Sequence, residues 1–211
     1  MQAVTVTHSP LGKKLKTPIE LQLPETQSRA EEKLREYVIN SLCWKMPSLV
    51  PFTFYNDSIL EVAKHLLRHR TGSSGTLYQY VYGIHRFSQW LNIPPDQLIK
   101  DCQDEDGDPN PKALAKFSRR LDDFVGELQA EELAPGSISN HVKGVKALFR
   151  ASNLKLELAY SLPKRGIYKD RSPTPEELAT LIELADIQVK TIISMLSLGG
   201  FRTGTLVKLQ Y

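Results

Sequence analysis

Between Ser137 and Arg171 the chain carries eight basic side chains, Lys143, Lys146, Arg150, Lys155, Lys164, Arg165, Lys169 and Arg171, against two acids, Glu157 and Asp170. A local charge of +6 in a chain whose net charge is +3 suits two readings: a solvated helix face, or a face that meets an anionic partner. Ammonium and guanidinium groups donate charge-assisted hydrogen bonds to phosphate oxygens. Two helices are expected to open at hydroxyl residues, Thr76 and Ser137, and a helix N-terminus with a hydroxyl is a ready phosphate site. The outer faces of those helices hold Gln79, Arg86, Asn140, His141, Lys143 and Lys146, which have the reach for phosphates or base edges. A solvated polar face accounts for the same residues equally well.

Two other groupings carry less. His65 and His69 stand four apart on one helix, a metal-ligand spacing. No Glu completes a protease motif and no third ligand follows, so no metal site is assigned. The aromatic run Tyr78, Tyr80, Tyr82, Phe87 and Trp90 suggests either base stacking or packing. At helical spacing Tyr80, Phe87 and Trp90 read as packing, while Tyr78 and Tyr82 fall off the core face.

The elements that must position these residues are helical. The run from Asn56 places Ile59, Val62, Ala63, Leu66 and Leu67 on one face; the next places Leu77, Tyr80, Ile84, Phe87 and Leu91 at spacings of three and four. A short helix at 94–100 and an acidic loop, Asp101–Asp108 with five acids and no base, lead to a stripe of Leu114, Phe117, Leu121, Phe124, Val125 and Leu128. The last helix of this group, 137–151, sets Ile138, Val142, Val145 and Phe149 inward. The expected fold is therefore all-α: a four-to-five-helix domain at 55–160, a basic linker at 161–171, and a further helical segment at 172–211. Residues 1–54 read as an arm, extended or mobile over 1–25, with one helix from Ser28 and a break at Pro47 and Pro51. In the last segment Thr174, Pro175 and Glu177 form a capping box.

Composition excludes several classes. Hydrophobic residues make up 41% and charged residues 24% of 211, which argues against wholesale disorder. No run approaches the roughly 18 apolar residues of a membrane span, and no apolar stretch follows the first lysines to make a secretory signal. The two cysteines, Cys43 and Cys102, support neither a disulfide framework nor a zinc ribbon, and a cytoplasmic location is expected. No cofactor, membrane or small-molecule substrate is implied.

The order of motifs resembles the tyrosine recombinases, the phage-integrase family. Ser73, Thr76, Tyr80, Ile84, Phe87, Trp90 and Leu91 follow the family's pattern in its N-terminal core-binding domain, and Ala134-Pro135-Gly136-Ser137-Ile138 resembles the opening of its second DNA-facing helix. Pro173-Thr174-Pro175-Glu176-Glu177-Leu178 and Gly199-Gly200-Phe201-Arg202 are similar to the start of its catalytic domain. The resemblance covers about 55–211. It implies duplex DNA as partner, with possible self-association on DNA, a nucleoid-associated location when bound, and a place in DNA integration or recombination. The linker cations Lys164, Arg165, Lys169 and Arg171 would then track the backbone. Arg202 would stabilise the phosphorane formed when a tyrosine attacks a phosphodiester, its guanidinium donating to equatorial oxygens. The sequence departs from the family at Thr205, where an acid often stands three residues after that arginine. The family's remaining catalytic groups, its tyrosine nucleophile included, have no counterpart here. The expectation is thus the DNA-binding portion of a recombinase with a truncated catalytic domain. A binding protein unable to cut DNA, or a helical protein-interaction module, are the alternatives.

Overall fold

A computed structural model describes residues 2–8, 14–23, 28–69, 72–162, 171–201 and 203–206. The chain divides into two compact units, Met1–Ile167 and Tyr168–Tyr211.

The first unit opens with an antiparallel pair, β1 (Gln2–His8) and β2 (Lys14–Leu23), with Val4 opposite Leu21 and Val6 opposite Ile19. Strand alternation sets the inner face: Val6, Ile19, Leu21 and Leu23 are buried while Thr5, Glu20 and Gln22 face outward. The arm expected at 1–54 is corrected on this point. Ile-Glu-Leu-Gln-Leu at 19–23 is a period-two pattern, and its apolar face joins the core. The fold is mostly helical, roughly the all-α class expected, with this one small two-stranded sheet among the described residues.

Helix α1 (Arg29–Leu42) is capped by Ser28, whose Oγ accepts from the Glu31 N–H at 3.3 Å, and it buries Leu34, Val38 and Leu42. The Tyr37 hydroxyl donates to the Ser73 carbonyl at 3.2 Å; burial pushes that phenol up to about 12. Pro47 lies in the turn between helices, as expected, but Pro51 does not break the chain. Pro51 lies in the first turn of α2 (Leu49–Phe54), where its missing N–H would have had no intrahelical partner anyway.

Helix α3 (Asp57–His69) receives its cap from another helix. Asp96, in α5 (Pro95–Lys100), accepts from the backbone N–H groups of Asp57 and Ser58 at 3.1 and 2.9 Å and from the Ser58 hydroxyl at 2.5 Å. Helix α4 (Ser74–Leu91) ends at Asn92 in the left-handed region, φ 54°. Asn110 caps α6 (Pro111–Ala130) by accepting from the Lys112 and Ala113 N–H groups, and α7 (Pro135–Ala151) follows. These five helices match the expected group.

α4 and α7 make the most extensive helix–helix contact of the unit. Glycine sets its closeness: a Cβ on Gly83 would lie 2.7 Å from the His141 Cα, and one on Gly144 would lie 2.5 Å from the Tyr80 carbonyl oxygen. Because Gly83 meets His141 while Tyr80 meets Gly144, the two helices run antiparallel. Phe87, Phe124, Phe149, Leu121 and Leu128 fill the core beside them, with α1, α2 and β2 completing it.

The second unit contains α8 (Pro175–Leu184), α9 (Ile187–Ser197) and α10 (Thr203–Leu206). Thr174 and Glu177 close the expected capping box, at 3.2 Å for the Glu177 N–H and 2.9 Å for the Thr174 N–H. Neither α8 nor α9 buries a residue; Leu184, Ile187 and Leu198 are about four-fifths exposed, at 83%, 77% and 79%. Among the described residues no helix is long and apolar enough to cross a membrane.

Candidate functional site

α7 turns Ile138, Val142, Val145 and Phe149 inward, so residues 143, 146 and 150 share its opposite face. There they border a cleft of about 140 Å³ between α3, α4 and α7. The floor is apolar: Val62 and Leu66 from α3, Ala147 and Ala151 from α7. The rim is cationic and polar: Lys143, Lys146 and Arg150, with His65 across from them and Tyr80 as a wall.

Lys143 and Arg150 are exposed and Lys146 is half-buried. Among the described residues none of the three has a hydrogen bond or ion pair. Their donors are therefore free for a ligand. An acid that Lys146 influences is already engaged: Glu157 pairs with Lys155 at 2.5 Å, and its carboxyl is held below the usual range by Lys155 first and by Lys146 as a lesser cause.

Other expected contacts fall differently. His141 is not on the outer face. It is 3% exposed, because it shares the inward face of α7 with Ile138 and Val145, and Gly83 admits its backbone against α4. Its ring meets Tyr82 edge-on at 5.3 Å, and its Nδ1 donates to the Ser137 carbonyl at 2.8 Å. Among the described residues the buried Nε2 has no hydrogen-bond partner. Burial chiefly, and secondarily Arg86, hold this imidazole below its ordinary value, opposed by the Ser137 carbonyl and Glu131. Arg86 is also committed: its guanidinium donates to both Glu131 carboxylate oxygens at 2.6 and 2.7 Å.

The helix starts are corrected as well. The N-cap residues are Ser73 and Ala134, neither making a side-chain cap, so Thr76 and Ser137 each stand third in their helices. Since α4 and α7 are antiparallel, these hydroxyls lie toward opposite ends of the pair. Thr76, Gln79 and Asn140 are half-buried and Ser137 is exposed; none lines the cleft. Arg171 belongs to the second unit, where its fork donates to Glu177 at 2.7 and 2.5 Å; that pairing pulls the carboxyl down to about 2. Lys164, Arg165, Lys169 and Arg202 lie outside the described residues.

The structure thus brings together Lys143 and Lys146 from the expected set and adds Arg150, His65 and Tyr80. Arg150 was visible as the third cation of an i, i+3, i+7 series. His65 and Tyr80 carry no such pattern, since only the meeting of three helices makes them neighbours. Tyr78 and Tyr82 stack on each other, centroids 5.9 Å apart, with the Lys45 ammonium 4.6 Å from the Tyr78 ring. No protein-family model, characterised protein or solved structure matches the chain.

Proposed function

We propose that the first unit binds duplex DNA through the α7 face bearing Lys143, Lys146 and Arg150. The observation that supports this most is three cations without protein partners along one edge of a concave surface. From 143 to 150 a helix rises about 10 Å, and a run of four phosphates on one B-DNA strand spans a similar length, three steps of about 3.4 Å along the axis. The contact is to the sugar-phosphate backbone, which positions a protein and carries no base information by itself.

The motif resemblance gives this binding its context. On that reading the chain is the DNA-binding portion of a site-specific tyrosine recombinase, and Arg202 contributes to the charge stabilisation of strand cleavage. The apolar side chains exposed on α8 and α9 support the self-association on DNA that accompanies it.

A salt titration of duplex binding by fluorescence anisotropy tests the proposal. Three phosphates neutralised by the cleft rim give a log–log slope near −2.7, and four to six with the linker cations give about −4 to −5. A slope near zero removes the DNA reading.

A further inference from the structure

A rod-shaped duplex uses only the rim of the cleft. Its phosphates gain nothing from Val62, Leu66 and Ala147 beneath, and a convex surface leaves that floor wet. A concave, largely apolar hollow with a few convergent polar groups is instead the form of a small-molecule site. At roughly 10–15 Å³ per seated water, a cleft of 140 Å³ holds about ten non-hydrogen atoms. Lys143, Lys146 and Arg150 require an anion, the aliphatic floor requires an apolar body, and the half-buried Tyr80 ring offers a wall for a planar one.

We propose that this cleft binds a small organic anion, an aryl monophosphate or a molecule of like size and charge, and that its occupation displaces DNA by occupying the same cations. The displacement rests on the DNA reading above; the binding of the anion does not. The phosphate lies at the rim, where Arg150 offers a fork and the two lysines offer point charges. The ring passes between Tyr80 and Ala147. Size discrimination follows from the alanine: any larger side chain at 147 fills the space that the ring needs.

The test uses phenyl phosphate, inorganic phosphate and phenol, each titrated calorimetrically into the full chain without DNA. Phenyl phosphate is expected to bind at least tenfold more tightly than either fragment. Equal affinity for phenyl phosphate and inorganic phosphate overturns the site. Ala147→Leu keeps every cation and fills the floor. It should weaken phenyl phosphate tenfold or more while changing duplex affinity less than twofold; unchanged phenyl phosphate binding overturns the proposal. If A147L lowers the melting temperature, Ala151→Leu gives the same readout. Saturating phenyl phosphate should raise the apparent Kd for duplex in the parent and leave it unchanged in A147L. A parent that binds phenyl phosphate yet holds DNA undisturbed overturns the competition. A parent that binds phenyl phosphate but no DNA overturns the DNA reading and, with it, the competition, and leaves the anion site standing.

Discussion

Gly83 of α4 packs directly on the backbone of His141 in α7, leaving less room than a single methyl needs, and Gly144 repays the contact against Tyr80. The cationic face of α7 is therefore held at a fixed height above α4 by two missing side chains.

Replacing either glycine with alanine tests this. In an open helix the change stabilises by about 0.5–1 kcal/mol through backbone entropy. Here the new Cβ would fall under 3 Å from backbone on the facing helix, and overpacking costs roughly 1–3 kcal/mol. Gly83→Ala and Gly144→Ala should lower the urea midpoint. Gly126→Ala in α6, whose Cβ would meet nothing within 4 Å, should raise it. The same sign at all three positions would refute the close approach.

The rim cations should act on affinity and not on stability. Lys143→Ala with Lys146→Ala is expected to weaken duplex binding for all sequences and to flatten the salt slope by about two; adding Arg150→Ala removes about one more. Substitutions at exposed positions such as 143 and 150 stay within about 0.5 kcal/mol in stability. A matched fall in melting temperature would place these side chains in the core.

His141 should make the fold acid-sensitive. Burial favours its neutral form, so its folded pKa lies below the unfolded value of about 6.5. Its contribution is complete above that pH. As pH falls below it the unfolded chain takes up a proton that the folded chain refuses, and stability declines until the folded pKa is reached. The slope cannot exceed about 1.4 kcal/mol per pH unit for one group. His85, also lowered by burial and packed edge-on against Phe52 at 4.8 Å, adds in the same direction. Urea midpoints at pH 7.5 and 5.0 should differ more for the parent than for His141→Phe; parallel losses would exclude His141 as the cause.

Asp96 should matter far from its own helix. It satisfies the first two N–H groups of α3 and a hydroxyl beside them. Loss of a helix cap costs about 1–2 kcal/mol, and Asp96→Ala should lower the melting temperature accordingly, with Asp96→Asn intermediate. A change below about 0.5 kcal/mol would show that water replaces the carboxylate.

Helices α3, α4, α6 and α7 were legible because each repeats apolar residues every three or four positions over long runs, as in Leu114, Phe117, Leu121, Phe124 and Leu128, and the six-residue α5 was legible from the prolines that open it. The hairpin was not read, although Ile19, Leu21 and Leu23 alternate with Glu20 and Gln22, because five residues make a short pattern and its partner strand lies across 9–13. Lys143 is exposed where helix phase alone puts it outward, whereas Lys146, expected on the same outer face, is half-buried at the cleft. His141 was misread as an outer group because its side chain is polar, although it stands three residues after Ile138 and four before Val145 and so shares their inward face. The Asp96 cap and the Arg86–Glu131 pair were hidden because their partners lie on other elements, 38 and 45 positions away.

The antiparallel course of α4 and α7 also decides where the cleft's field comes from. Each helix carries a macrodipole equivalent to about half a charge at either end, positive at the N-terminus and negative at the C-terminus. The C-terminal turn of α7, with Arg150, lies toward the N-terminal end of α4, so the two partial charges oppose each other across the cleft. This pair of helices then contributes little net potential there. What an anion meets is the charge of Lys143, Lys146 and Arg150 themselves, and three side-chain substitutions are enough to switch it off while both helices stay in place.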